Sequence, residues 1–439
     1  MGVHNPNDGD IVVNSETPVE RVGELVAEWL DSNWSLEITL AEWWSRLARA
    51  GFSQPTWPTG VGGLGASVAQ GRAVMQSLAQ RGVIAPPTGN GPAMGGPTVI
   101  AHGTPDQRTR FVLPLATGRS AWCQLFSEPG AGSDLASLGT RAERDGDEFV
   151  INGQKVWNSA ADVSDLGMLL ARTDADVPKH RGISFIMIDM NQPGVEVRPL
   201  VQMNGASEFC EVFFTDARAR VADVIGDLHD GWKVARTTLL FERANAGGSK
   251  TRGVVTVTAG PGGGNLDRTT GELLAEARES AAKSPRDSHR RGEVLLNSRA
   301  MIKLARDLGR HEEPIVRQKL MRYFLDSEVY RLNNQRSRDL SRTKQAGPDG
   351  SMLKLQLALL AHHSRDLSLD LLGAEGTVAG PDSREGGRYV HTALSSPIPS
   401  LGGGTNEIQR NIIGERNLGL PREPSNDSEV PFRELRRSS

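Results

Sequence analysis

Cysteine is almost missing from the chain: Cys123 and Cys210 are the only two among 439 residues. Two thiols exclude a disulfide framework and fit a reducing cytoplasm. Long hydrophobic runs are missing too. The longest, Ile183–Ile188 and Leu355–Ala361, fall well short of the roughly 20 apolar residues of a membrane helix. Charge of one sign is also lacking. Fifty basic residues face 53 acidic ones for a net charge of −3, with no block of like charge to recommend a nucleic-acid or membrane partner. The opening M-G-V-H-N-P-N-D-G-D has neither a basic n-region nor an apolar h-region, so no secretory signal is read and a cytoplasmic protein is expected. The nine histidines show no ligand spacing with cysteine. His362 and His363, being adjacent, point to different helix faces, and no metal is implied.

Two glycine-rich stretches look like nucleotide motifs and are not. Gly60, Gly62 and Gly65 satisfy G-x-G-x-x-G, but prolines precede them where a strand is required, and no acidic residue follows about 20 positions on. Gly260–Asn265 lacks a Gly-Lys-Ser and reads as linker.

What is there is a change of period along a chain long enough for two or three domains. Met1–Thr17 reads as a flexible lead. Residues 18–118 carry helical spacing: Val19, Val22, Leu25, Val26 and Leu30, then Leu40–Gly51, Val68–Arg81 and Pro105–Thr117, the last with Thr104 as N-cap. Residues 119–224 switch to short alternating runs: Ala121–Phe126, Gly139–Arg144, Glu148–Ile151, Gly167–Arg172, Ile183–Ile188, Val195–Leu200 and Glu211–Thr215. Turn signals such as Asn152-Gly separate them, so a small antiparallel β domain is expected. Residues 225–420 return to helix, at Trp232–Gly247, Gly271–Ala282, Ser288–Leu308, Pro314–Arg336, Ser351–Leu372 and Thr405–Glu415. Residues 421–439 are polar and proline-containing and read as a disordered tail. The class is α+β, in the order helical, β, helical.

One stretch organises the rest: Gln124–Asp134, Q-L-F-S-E-P-G-A-G-S-D. β-formers run into Pro129, Gly130 and Gly132, the pattern of a strand entering a tight exposed turn. The glycines let backbone approach a ligand, and Ser127 and Ser133 add hydroxyls beside bared N–H groups. Alone, this would be a serine-rich β-turn. It is answered by N-G-Q-K-V-W-N-S at 152–159, F-F-T-D-A-R at 213–218 and G-G-T-N-E-I-Q-R-N-I-I-G-E-R at 403–416.

These four blocks, in this order, resemble the acyl-CoA dehydrogenase family, and the resemblance spans roughly Pro18 to Pro421. It implies that family's fold and an FAD enzyme oxidising an acyl-CoA between Cα and Cβ. By match, Leu125, Ser127 and Ser133 hold the flavin ring, Ser159 faces flavin N5, and Trp157 is the neighbouring aromatic rather than an ordinary sheet tryptophan. Ser133, Arg243 and Gly403 fall on the substrate side, Thr405 on the cofactor side. The adenine half of FAD usually meets an arginine-led motif of a second subunit; Arg317-Gln318 is the nearest match. Here Lys319-Leu320 replaces the usual phenylalanine-glycine, and Asp370-Leu-Leu-Gly373-Ala374 departs from the usual glutamine and two glycines. A homo-oligomer, or a heteromer whose partner supplies adenine contacts, is implied, with an electron-transfer flavoprotein as acceptor. At the tryptophan-proline-glycine loop, Gly60 and Val61 stand where an acidic residue and a tyrosine are usual.

The base is the sharpest question. Many members place a glutamate directly before the Gly-Thr of the C-terminal block; here that position is Gly403. Isovaleryl- and long-chain-type members instead carry it on a helix of the C-terminal domain, next to an arginine, and the matching place reads Leu239-Leu-Phe-Glu242-Arg243. Ala235, Leu239, Glu242 and Ala246 fall at helical steps, so Glu242 shares a stripe with apolar residues. A carboxylate on such a face loses hydration and gains basicity; the plain alternative is a Glu–Arg pair on a solvated face. A glycine at 403 clears space opposite, and its N–H can meet the thioester oxygen as enolate charge develops. Glu375, Glu407, Glu415 and Asp134 read as capping and ion-pairing residues. Two rival readings stay open: a flavin monooxygenase on the same fold, which needs no such glutamate, and a silent subunit completing a partner's FAD site.

Overall fold

Capping chemistry sets the first helices. α1 (Val19–Asn33) buries Val22, Val26 and Leu30 on one face. α2 (Leu40–Arg49) starts at Thr39, whose hydroxyl accepts from the Glu42 N–H. α3 (Val68–Arg81) opens on a Ser67–Gln70 capping box and stops at Gly82, φ +70°. Trp43 and Trp44 sit at the centre of this layer and donate their indole N–H groups to the carbonyls of Ile84 and Ala85 at 2.9 and 2.8 Å. α4 (Gly96–His102), α5 (Pro105–Gln107) and α6 (Leu113–Ala116) follow, with π turns at 91–95 and 108–112, so the expected Pro105–Thr117 helix is continuous but locally widened to i→i+5 bonding. Thr104 caps it as expected.

The computed structural model describes residues 13, 16–246, 255–283, 293–342, 349–380, 382–424, 427 and 429–435, and side chains at 243–246, 281–283, 341–342 and 349 lie outside that description. Most of the expected N-terminal lead falls outside it as well.

Seven strands make one sheet: β1 (Trp122–Leu125), β2 (Arg141–Asp145), β3 (Glu148–Ser159), β4 (Leu166–Arg172), β5 (Ile183–Asp189), β6 (Val195–Leu200) and β7 (Phe209–Arg220). The order is β1-β4-β2-β3-β7-β6, with β5 on β4. The sheet is not wholly antiparallel: β1 runs parallel to β4 over four residue pairs, and β2 touches β4 in parallel at Arg141 and Arg172. The intervening β2–β3 hairpin returns the chain to β4 in its original direction. Asn152-Gly153, expected to be a turn, is a bulge inside a twelve-residue β3. Asn152 and Asp216 clamp it, side chain to side chain and side chain to backbone, both at 3.0 Å. A Cβ at Gly153 would meet Thr140 Oγ1 at 2.4 Å.

α7 (Gly231–Ala246) and α8 (Thr270–Lys283) follow the sheet. Val234 and Ala235 of α7 are buried with Trp122, Phe126 and Phe185, whereas Leu273 and Leu274 of α8 join the Trp43–Trp44 cluster. The Gly260–Asn265 loop packs tightly rather than acting as a linker. Gly260 N–H bonds the Gly118 carbonyl at 2.9 Å, and a Cβ at Gly262 would meet the Val163 carbonyl at 2.7 Å.

The described residues of Met1–Leu200, Ser207–Glu279 and Asn426–Ser439 form one compact unit, those of Val201–Ala206 and Ser280–Ser425 a second. The second holds α9 (Ser298–Asp307), α10 (Pro314–Arg342), α11 (Asp349–Leu372), α12 (Arg388–Ser395), α13 (Ile398–Leu401) and α14 (Asn406–Ile412). Its core is Met301, Leu304, Tyr323, Leu360, Leu367 and Tyr389. α9 begins at Ser298, where Asn297 caps it through the Ala300 N–H; the expected start at 288 lies outside the described residues. Among the described residues no helix is long and apolar enough to cross a membrane, and no three His, Cys, Asp or Glu side chains could hold a metal.

The expected disorder of residues 421–439 does not hold at 431–435. Phe432 is buried, its N–H bonds the Val177 carbonyl at 2.9 Å, and Arg433 N–H bonds Ala175 at 3.0 Å. A single aromatic anchor in a polar tail outweighs the composition around it.

Candidate active site

Alternation along β1 decides what its side chains can reach. Trp122 and Phe126 bury on the face that α7 covers, and Cys123 and Leu125 on the opposite face. Gln124, between Trp122 and Phe126, therefore points toward α7. There its Nε2 donates to Glu242 Oε2 at 3.4 Å. Glu242 is half-buried, one turn beyond the fully buried Thr238 and two beyond Ala235. Of the stripe expected from the sequence, Ala235 is buried and Leu239 and Glu242 are half-buried, while the Ala246 side chain lies outside the described residues; Thr238 is an added polar member whose hydroxyl meets Thr98 Oγ1 at 3.0 Å. The backbone of Arg243 continues α7, and its side chain lies outside the described residues.

Past Phe126 the chain turns. Glu128 and Ala131 exchange two backbone hydrogen bonds, each 3.1 Å, which close the turn around Pro129 and Gly130. Ser127 is half-buried and Ser133 exposed. Leu125 is fully buried in the core, so only its main chain can face a ligand. The turn is fixed from below by a pair that sequence reasoning missed. Lys155, wholly buried, donates to Glu128 Oε1 at 2.8 Å and to the Phe126 carbonyl at 2.9 Å. Glu128 also accepts from the N–H groups of Gly139 (2.6 Å) and Thr140 (2.8 Å). Burial would push the Glu128 carboxyl up, but Lys155 and these donors outweigh it and hold it below its ordinary value. Burial pushes the Lys155 ammonium down, and Glu128 recovers only part of that. Nothing in N-G-Q-K-V-W-N-S marks its lysine as buried; only the strand register does.

The bulge between Lys155 and Asn158 throws Trp157 outward: φ is +64° and the ring is 60% exposed, resting edge-on against Phe209 at 5.9 Å. A bulky side chain in that backbone region costs about 1–3 kcal/mol and persists only where its surroundings impose it. Asn158, next in line, donates to the Gln124 carbonyl at 2.7 Å, tying this bulge to the foot of the turn. Ser159 is half-buried at the end of β3. Gln124, Ser127, Trp157 and Ser159 are thus brought to one end of β1 and β3.

Three expected residues belong to the second unit. Arg317 is exposed in the first turn of α10. Gly403 is exposed with φ +65°, and its carbonyl accepts from Gln409 Nε2 at 2.9 Å. Thr405 caps α14 through the Ile408 N–H at 3.4 Å. Glu375, Glu407, Glu415 and Asp134 pair with Arg384, Arg410, Arg422 and Lys179, the roles read for them from sequence.

Three family models match in chain order: the acyl-CoA dehydrogenase N-terminal domain over residues 19–119, the middle domain over 123–217 and the C-terminal domain over 293–418. The chain is 38% identical over 381 residues to the acyl-CoA dehydrogenase IpdE1 of Mycobacterium tuberculosis, covering 87% of this chain and 88% of that protein. This chain belongs to the acyl-CoA dehydrogenase family. It is an oxidoreductase with the family's helical, β and helical domains, and it acts on acyl-CoA. Among solved structures, the ChsE4-ChsE5 complex of M. tuberculosis aligns at a TM-score of 0.62 and 26% identity, over 94% of this chain and all of that one. A variant of the Tcur3481-Tcur3483 steroid ACAD aligns at 0.64 and 25% identity, over 92% and 99%.

The family implies FAD, and the residues present fit it. An exposed, strained tryptophan beside hydroxyls and a glycine turn offers a planar wall and polar donors to a polar ring system.

Proposed function

We propose that this acyl-CoA dehydrogenase oxidises a steroid-type acyl-CoA to its 2-enoyl-CoA, with Glu242 as the base that removes the α-proton. The observation that carries this is the Gln124–Glu242 contact, which sets the carboxylate of α7 beside the strand leading into the Gln124–Asp134 turn. In the reaction the Cα–H electron pair becomes the new Cα=Cβ bond as Glu242 takes the proton. Bound FAD supplies the acceptor for the hydride leaving Cβ, a task no side chain can perform. Leu125 main chain, Ser127, Ser133, Trp157 and Ser159 would hold the ring in this reading, with Arg317 as an adenine contact offered to a second subunit and Thr405 as a further cofactor residue. Arg243, Ser133 and Gly403 belong to the substrate side. An electron-transfer flavoprotein takes the two electrons onward. The steroid assignment is supported by the structural likeness to the Tcur3481-Tcur3483 protein.

The test is an absorption spectrum of the purified protein, then titration under argon with acyl-CoAs of increasing bulk, including one with a steroid ring system. A flavin spectrum bleached by the steroid member ahead of straight-chain ones is expected. A protein that takes up no flavin would remove the enzymatic reading; preference for a straight chain would remove only the substrate class.

Trp157 gives an independent check. Trp157→Gly relieves the backbone strain while adding chain entropy, so the apo protein should change in stability by less than about 1 kcal/mol. Loss of a stacking ring should nevertheless weaken FAD retention by roughly tenfold. Unchanged retention by fluorescence titration would return Trp157 to an ordinary surface role.

The partner in this reading is a second subunit, identical or homologous. On α10, Met321, Leu325, Val329 and Leu332 recur at helical steps and are each 50–55% exposed, a stripe that water alone serves poorly. Sedimentation velocity should return a mass well above the 47.4 kDa of one chain; a pure monomer with bound FAD would contradict it.

A further inference from the structure

The described C-terminal residues, 427 and 429–435, lie against the β4–β5 connection, and what they touch is specific. Two buried cations stand beneath them, Arg172 at the end of β4 and Lys179 in the connection. Each has one side on the C-terminal segment and the other on the end of the Gln124–Asp134 stretch or the residues just after it. The Phe432 ring covers the Arg172 guanidinium, centroid to Cζ 3.8 Å. The same guanidinium donates to the carbonyls of Ala136 (2.6 Å), Leu138 (3.3 Å) and Lys179 (2.6 Å). Lys179 Nζ bonds Asp427 Oδ2 at 2.6 Å and Asp134 Oδ2 at 2.8 Å. Asp134 is the last residue of the organising stretch, and its Oδ2 also accepts from Ser137 Oγ at 2.5 Å.

We propose that residues 427 and 429–435 form a clasp that positions the Gln124–Asp134 turn, acting through Arg172 and Lys179 as positioning residues. The physical reason is the accounting of buried charge. A guanidinium keeps its N–H groups on three carbonyls only while its position is fixed, and Phe432 supplies the surface that fixes it. An ammonium shared by two carboxylates holds both in place; with Asp427 gone it is free to swing with Asp134. The Lys155–Glu128 pair secures the near end of the turn, and the clasp secures the far end. Main-chain bonds from Phe432 to Val177 and from Arg433 to Ala175, with an Arg433–Asp176 ion pair at 2.8 Å, keep the clasp on its seat. The β4–β5 connection also meets α7, through His180 against Trp232 at 5.0 Å. Its flavin and kinetic readouts rest on the proposed function; its exchange readout does not.

Hydrogen–deuterium exchange on the full chain tests it. In Phe432→Ala, amides of 126–139 should exchange at least about tenfold faster, while those of β6 and β7 stay at wild-type rates. In Asp427→Asn the same amides should speed up by a few-fold, with Phe432→Leu close to wild type. Loaded with FAD, Phe432→Ala should release flavin several-fold faster and raise KM for acyl-CoA with kcat within about twofold. Should Phe432→Ala not fold, Asp427→Asn and Lys179→Met carry the comparison. Unchanged exchange at 126–139, or acceleration spread evenly through the whole unit, would overturn the clasp, because a merely stabilising tail produces one or the other. A chain that takes up no flavin but shows the local acceleration would sink the proposed function and leave the clasp standing.

Discussion

Glu242→Gln is expected to purify with wild-type flavin content and to lose bleaching by acyl-CoA, with the reduction rate falling by about 10³-fold or more. The amide keeps the size of the side chain and can still meet Gln124 Nε2 through its carbonyl, where Glu242 Oε2 now stands at 3.4 Å. It cannot take a proton. A general base contributes about 10²–10⁴ in rate, and here the α-carbon offers no second acceptor in the proposed arrangement. The flavin seat is assigned to other residues, on the turn after β1 and the bulge of β3, so binding and chemistry separate in this variant. Stopped-flow absorbance reads both at once. Reduction within a few-fold of wild type would place the base elsewhere and remove Glu242 from the mechanism. Gln124→Leu serves as the control for orientation: it keeps the carboxylate and loses one donor to it, so a loss of roughly tenfold is expected rather than a dead enzyme.

Much of this is legible in the sequence, for physical reasons that also explain what is not. Periodic burial is local information: α1, α3 and β6 fall where their spacing puts them. The Gln124–Asp134 turn is likewise local, closed around Pro129 and Gly130 by the two backbone bonds between Glu128 and Ala131. Asn152-Gly153 misled because a bulge and a hairpin turn ask for the same residues, and only the partner strand decides between them. Longer-range facts leave no periodic trace. Lys155 and Glu128 are 27 positions apart and meet through strand register. Phe432 and Arg172 are brought together by the fold, although one stands in a tail whose composition argues for disorder. Gln124 stands in the organising stretch, but its bond to Glu242 requires β1 and α7 to share a face.

The second large effect is expected beneath the turn. Lys155→Met removes the ammonium and leaves the Glu128 carboxylate, only 12% exposed, facing the N–H groups of Gly139 and Thr140. Breaking a buried ion pair from one side costs about 3–5 kcal/mol, because the remaining charge is uncompensated. Lys155→Met/Glu128→Gln should be less destabilised than Lys155→Met alone, the double-mutant cycle returning a coupling of about 2 kcal/mol or more. The pH dependence carries a sign. In the wild type Lys155 holds the Glu128 carboxyl below its ordinary value, so this contribution is fully present above the unfolded carboxyl pKa and is lost as pH falls through the lower, folded one. In Lys155→Met burial acts on Glu128 with its counter-ion gone, which favours the protonated form, so acid costs this variant less. The stability gap between the two proteins should therefore narrow as pH drops below about 4. Urea unfolding at pH 7 and at the lowest pH that keeps both folded reads the gap directly. A gap that widens in acid, or a single variant no less stable than the double, would mean that Glu128 is not charged in the folded protein and that the turn is held by its backbone bonds alone.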